Sequence, residues 1–536
     1  MKKSSFLEGA LIATIAIFFT KFLGIIYVIP FYNIVGSQGG ALYGYAYNIY
    51  NLFLIISSAG IPLAISKLTS EYNTLKKNDE KKYMFETAKK IIFIFSLISF
   101  LICFIFAPTI ANIIIGDVTG GNTPEDIAYV IRCVSFAILI VPLLSISKGY
   151  LQGHGYIKPS SFSQVIEQIV RILIIIFGSY FVLNVLNLSL KTAIGVAVFG
   201  ASIGAIVAYF YLLKKLNLIK DYETNKNNEL KEEVKKDIFK KLIFYSVPFI
   251  IINIANSLYN STDMILLIRG LNYLNYNAQD IETISSIFTT WGHKLNTIVT
   301  SIATGVAISL IPSISESRAK KDLNQINDKF NKILSIFLYI ALPIALFMSI
   351  FAKEIWTIFY GESYYGPIVF KMLIITAAID ALYIMVCNGL QGLNKSKLIY
   401  FTVISGLLIN LCLDIPLMIL FNNIGIYPFY GAIAATIIGY SVSLIIPIKT
   451  LKKEFKINYK NTLKKLPKLL LVYLIMICLS LIYHGIINTI NNRIWLILLL
   501  AVIGIILLII YYLLNKNDFE EIFGINIKNF IRKKRD

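Results

Sequence analysis

Histidine is scarce in this sequence, and acidic side chains are few beside the basic ones. Its 536 residues include 3 histidines and 30 acids against 50 lysines and arginines, a formal net charge of +20. His154, His293 and His484 are far apart and no HExxH spacing occurs, so a histidine metal site is not expected. Cysteine is scarce too. Cys103, Cys133, Cys387, Cys412 and Cys478 lie in or beside apolar runs without CxxC spacing, and read as small buried hydrophobes rather than disulfides or metal ligands. No Walker A, GxSxG or Rossmann fingerprint is present, so neither ATP hydrolysis nor esterase chemistry is supported. Long outer loops that could carry the catalytic carboxylates of a membrane glycosyltransferase are also missing. The chain does not read as an enzyme, and no cofactor is expected.

What is abundant is apolar surface. The composition is 57% hydrophobic with mean hydropathy +0.71, too apolar for a soluble protein and suited to many membrane spans. Fourteen candidate spans follow, near 10–35, 43–66, 89–115, 127–150, 161–184, 192–215, 240–268, 286–312, 331–352, 367–391, 398–421, 428–449, 466–487 and 493–515. Proline falls inside several, at Pro30, Pro62, Pro142, Pro248 and Pro343, as membrane helices tolerate. The basic excess sits in alternate short loops, at 67–90, 214–241, 315–332 and 449–468, and in the tail Arg532–Arg535, whereas 36–42, 116–126 and 422–427 have no lysine or arginine. By the positive-inside rule both termini are then cytoplasmic in the cell membrane, and no nucleic-acid partner is needed to explain the charge.

The chain also repeats itself. Gly60-Ile61-Pro62-Leu63-Ala64-Ile65-Ser66 followed by Ser70-Glu71 matches Gly305-Val306-Ala307-Ile308-Ser309 followed by Ser315-Glu316, at one offset of 245 residues. Gly149-Tyr150-Leu151-Gln152-Gly153 recurs as Gly389-Leu390-Gln391-Gly392. The expected division is an N-lobe at 1–215, a cytoplasmic linker at 216–239, a C-lobe at 240–450, and two accessory helices with a basic tail at 451–536. Transporters often bind substrate between two such halves.

Ionisable residues inside spans are costly, so they mark pathways or pairs. Lys21, near the middle of the first apolar run, costs about 2.5–3.5 kcal/mol at that depth unless it faces protein or water. Glu167 and Arg171 are four residues apart on one helix and can pair. Arg269 and Lys294 are candidate cavity cations. Asp263, Asp380 and Asp414 are candidate ion or proton sites, or partners for the lysines.

At Val35-Gly36-Ser37-Gln38-Gly39-Gly40-Ala41-Leu42-Tyr43, Tyr47-Asn48, Gly60-Ile61-Pro62-Leu63-Ala64-Ile65-Ser66-Lys67, Phe6-Leu7-Glu8-Gly9-Ala10 and Thr20-Lys21-Phe22-Leu23-Gly24, the chain resembles the polysaccharide-exporter branch of the multidrug/oligosaccharidyl-lipid/polysaccharide (MOP) superfamily. Within it the resemblance is to the SpoVB and YtgP type, which includes MurJ-like lipid II flippases, and it covers about residues 5–450. The resemblance implies an all-α fold of two six-helix lobes around a central cavity, plus a C-terminal helical pair making a lipid-facing groove. It implies translocation of an undecaprenyl-diphosphate-linked cell-wall precursor, lipid II first, from inner to outer leaflet by alternating access. Alternatives are another lipid-linked oligosaccharide, of capsule, teichoic or sporulation type, and a cation-coupled drug or metabolite exporter. It further implies that basic cavity residues hold the diphosphate, with Lys21 and Arg269 at positions that resemble the family's; Lys294 and Arg171 are further candidates by their place in the spans, and Asp263, Asp380 and Glu167 are candidate ion or pairing sites. Membrane potential or a monovalent cation is then the driving force. Membrane lipids and the cell-wall synthesis machinery are the expected neighbours. Lys21 stands where such proteins usually carry arginine, which keeps the charge and loses the bidentate fork.

Overall fold

The computed structural model describes residues 6–58, 60–116, 118, 121–217, 230–464, 466–487 and 493–523. The centre of the expected linker and the basic tail Arg532–Arg535 lie outside the described residues. The described chain is helical, with no strand among the described residues. In order the helices are α1 (Phe6–Ile26), α2 (Val28–Ser58), α3 (Ile61–Thr74), α4 (Asn78–Ile105), α5 (Ala107–Ile115), α6 (Pro124–Gly153), α7 (Ile157–Leu173), α8 (Leu190–Leu216), α9 (Glu232–Tyr273), α10 (Ala278–Ser286), α11 (Gly292–Ala319), α12 (Leu323–Ile336), α13 (Leu342–Ile350), α14 (Ala352–Tyr360), α15 (Tyr365–Gly392), α16 (Ser396–Asn423), α17 (Phe429–Glu454), α18 (Lys460–Leu463), α19 (Leu466–Ile487) and α20 (Arg493–Phe523).

Each of the fourteen expected spans is helical, although several are built from two pieces. Among the described residues, eight helical segments are long and apolar enough to cross a membrane, and a bent pair, Phe18–Ile26 with Val28–Ser58, makes a ninth. The first apolar run is therefore not one straight helix. It bends by 48° at Tyr27, and α2 is interrupted again at Gly36, whose φ of 65° and ψ of −163° only glycine adopts readily. Pro30, Pro62 and Pro343 sit in the first turn of α2, α3 and α13, where the missing N–H costs nothing, while Pro142 lies within α6.

Burial is inverted relative to a soluble helix. On α4 the large side chains Phe93, Phe95, Ile98 and Ile102 are exposed, while Ser96, Ser99 and Cys103 are buried. Lipid is as apolar as leucine, so small residues are favoured where helices touch. The cysteines need one correction: Cys103 and Cys387 are buried as expected, whereas Cys412 and Cys478 are exposed on apolar helices.

The chain packs as two compact units. The first comprises Met1–Lys294 and Leu407–Ala432, and the second Leu295–Gly406 and Ile433–Asp536. In the first unit, Ile65, Leu68, Met84, Ile92, Leu144 and Leu212 centre a core shared by α3, α4, α6 and α8. In the second, Phe337–Ala341 is a π-helical turn, in which the Phe337 carbonyl accepts the Leu342 N–H five residues on. The Leu338 carbonyl accepts the Tyr473 hydroxyl of α19 at 3.2 Å, and the Tyr339 carbonyl accepts that of Tyr511 from α20 at 2.8 Å. Through these two bonds the last two helices dock on the turn.

The repeat is written into the backbone. After α3, Lys76 turns left-handed (φ 56°) and the Lys77 N–H donates to the Tyr72 carbonyl. At the same 245-residue offset, Lys321 (φ 55°) follows α11 and the Asp322 N–H donates to the Ser317 carbonyl. The Gly-Leu-Gln-Gly motifs end α6 and α15 alike: Tyr156 N–H to the Leu151 carbonyl at 2.9 Å, Lys395 N–H to the Leu390 carbonyl at 3.0 Å. All four are helix-terminating bonds with a left-handed cap.

Candidate anion site

The site is assembled on α2, α6, α7 and the start of α11, all within the first unit. It begins with glycine. A Cβ at Gly40 would lie inside the Trp291 indole, and one at Gly44 would collide with Thr289 and Thr290. The bare glycines let α2 close on a π-helical turn, Ile287–Trp291, and the Thr290 hydroxyl donates to the Gly40 carbonyl at 2.8 Å. That contact fixes Lys294, three residues further on, against the tyrosines of α2.

Those tyrosines form a stripe. Tyr43, Tyr47 and Tyr50 are spaced for one helical face, with ring centroids 5.4 Å apart at each step. Tyr27, the residue at the bend, is buried, and its hydroxyl is hydrogen-bonded to both Lys294 and Tyr43. Lys294 Nζ lies 5.5 Å from the Tyr27 ring centre and 6.0 Å from that of Tyr47. At such distances the phenol oxygen, rather than the ring face, is the principal contact of the ammonium.

Arg171 approaches the same stripe from α7, within electrostatic reach of Tyr43, Tyr47, Tyr50 and Lys294. The Glu167–Arg171 pair expected from the four-residue spacing forms, at 2.5 Å, and Lys148 of α6 binds the other carboxylate oxygen at 2.8 Å. All three side chains are largely shielded, at 17%, 13% and 18% exposure for Arg171, Glu167 and Lys148. Two cations, Arg171 and Lys148, therefore flank one carboxylate, and Lys294 lies within electrostatic reach of Arg171. Glu167 orients Arg171 without balancing the group, and the excess positive charge suits an anion with several oxygens.

The other expected residues lie elsewhere. Lys21 is half-buried on α1, which packs against α7, the helix carrying Glu167 and Arg171. Arg269 is not brought to the tyrosine stripe. It donates from Nε and an Nη to the Ile113 carbonyl, at 3.2 and 2.8 Å, capping the end of α5. A cation there complements the helix dipole. Asp263 on α9 and Asp414 on α16 lie within electrostatic reach of each other, and Asp414 is fully buried. Asp414 is buried and Asp263 partly so, and like charges so placed repel each other. Asp380, on α15, belongs to the second unit. No cluster of three or more metal-ligating side chains occurs among the described residues.

Sequence reading does not single out Lys148 or the tyrosines. Lys148 sits at the rim of its span, where it looks like one more orientation lysine. The 43–47–50 spacing was the available signal for the tyrosines.

Known proteins agree with this architecture. A family profile described as "Polysaccharide biosynthesis protein" matches residues 6–273, and a MatE profile matches 289–415. The lipid II flippase MurJ of Bacillus subtilis is 32% identical over 492 residues, covering 88% of this chain and 87% of the relative. Stage V sporulation protein B of Bacillus subtilis is 24% identical, covering 86% and 88%. Among solved structures, a lipid II flippase MurJ in an inward closed conformation superposes with TM-score 0.68 at 18% identity, covering 95% of this chain and all of the other. An inward-facing multidrug-resistance MATE transporter of the MOP superfamily gives 0.64 at 14% identity, covering 82% and 94%. The chain is a multi-pass membrane transporter and not an enzyme. It belongs to the polysaccharide biosynthesis protein family, as a MurJ-type member of the MOP superfamily.

Proposed function

We propose that this chain is a flippase that carries an undecaprenyl-diphosphate-linked cell-wall precursor, lipid II first, from the inner to the outer leaflet by alternating access. The observation that carries this reading is the gathering of Arg171, Lys148 and Lys294 beside a stripe of tyrosines, with Glu167 as the carboxylate that orients Arg171. A sugar diphosphate entering hydrocarbon unaided faces tens of kcal/mol in the Born limit. Fixed cations and phenol hydroxyls replace the water it loses, while the polyprenyl tail stays in lipid. Lys21 stands beside this group, on α1 where it packs against the helix that carries Arg171. Basic loops at alternate ends support cytoplasmic termini. With the inside negative, two negative charges moving outward gain about 2 × 2.3 kcal/mol per 100 mV. The Asp263–Asp414 pair supports a proton or monovalent cation as a second coupling ion.

Depletion in the native cell tests this. Lipid II should accumulate on the inner leaflet, Lys21→Arg should restore export, and Lys21→Ala should not. Normal outer-leaflet exposure of lipid II during depletion would remove it as cargo. Full rescue by Lys21→Ala would remove Lys21 from the site.

A further inference from the structure

We propose that a groove on the outer face of α1, α7 and α8 binds a phospholipid of the bilayer with an anionic headgroup, separately from the transported substrate. The groove encloses about 640 Å³ and has two chemically distinct ends. Lys158, in the first turn of α7, and Lys215, in the last turn of α8, line one end. Ile15 and Phe19 of α1 and Phe162 of α7 line the remainder, and each is exposed. No carboxylate lines the groove among the described residues.

Three features choose the occupant. Lys215 Nζ lies 5.6 Å from the ring centre of Tyr211, which itself lines the groove. The N-terminus of α7 has no side-chain cap, so its first N–H groups add positive potential at the same end. Both lysines sit at helix ends that the loop charges assign to the cytoplasmic side, where anionic lipids supply the negative surface potential. An apolar trough ending in two cations fits a phosphate headgroup with its acyl chains in one leaflet. A neutral zwitterionic lipid gains little there. Occupancy would tie α1 to α7, and so hold Lys21 beside the helix that carries Arg171.

The test uses the full chain in nanodiscs with Phe162→Trp as reporter, read as quenching beyond that of the parent protein. Brominated phosphatidylglycerol should quench it in clear preference to brominated phosphatidylcholine. Lys158→Gln with Lys215→Gln should reduce that preference about thirtyfold, the value of two surface-proximal cations. Lys158→Arg with Lys215→Arg should retain it, which separates charge from folding. Equal quenching by the two lipids, or an unchanged preference in the double glutamine variant, would overturn the proposal. Undecaprenyl diphosphate displacing phosphatidylglycerol at equal concentration would also overturn it, by making the groove a substrate port.

Discussion

Glu282 shows what one residue does in the first unit. It is 4% exposed in α10, and a carboxylate oxygen accepts the Asn122 N–H, while Asn122 Nδ2 donates to the Gln38 carbonyl at 3.1 Å. Burial pushes its pKa from the ordinary 4.5 to about 7, the Asn122 N–H opposes this, and Asp126 adds repulsion. Because the folded value is raised, the protonated form is favoured by folding. The stability it contributes is complete below about pH 4.5 and is lost as pH rises through about 7. Thermal unfolding midpoints measured from pH 5 to 8 should fall across that window, and Glu282→Gln should flatten the fall. An identical slope in the variant would place the titration elsewhere. Of the charged residues, the Glu167–Arg171 pair was legible because helical spacing alone brings such side chains together. The role of Arg269 was not, because Gly116 marks where the short helix α5 stops but not which side chain reaches its end.

At the scale of elements, the close approach of α2 to the Ile287–Trp291 turn sets the position of Lys294. Gly40→Leu would force the indole out of its place. Overpacking of this kind costs about 1–3 kcal/mol. The expected result is a lower unfolding midpoint together with weaker anion binding. A variant as stable as the parent, with binding intact, would show that α2 does not need this contact. Hydropathy located the spans well, because a bilayer imposes a minimum length on every crossing. It could not locate the bend at Tyr27, which lies inside continuous apolar sequence, whereas the break at Gly36 falls in the Gly-Ser-Gln-Gly-Gly stretch between two expected spans. The prolines were better guides than their positions suggested: Pro30, Pro62 and Pro343 each mark where a helix starts afresh.

For the whole molecule, the alternation of basic and base-free loops fixes the orientation expected in the membrane. Single cysteines placed in 422–427 of an otherwise cysteine-free protein should react with a membrane-impermeant maleimide added outside intact cells. Cysteines in 315–332 should react only after lysis. The opposite pattern would invert the chain and its proposed direction of transport. The 245-residue offset legible in a few small residues also relates the left-handed caps at Lys76 and Lys321.

Binding of the lipid diphosphate by the Arg171–Lys294 group is the claim on which the functional reading rests, and direct affinity measurement on the purified protein tests it. Undecaprenyl diphosphate should bind more tightly than undecaprenyl monophosphate, and undecaprenol least. Lys294→Gln should weaken diphosphate binding about tenfold or more, as expected for loss of one shielded charge-assisted hydrogen bond, and leave undecaprenol binding unchanged. Equal affinity for the three lipids, or an unaltered diphosphate affinity in Lys294→Gln, would contradict it.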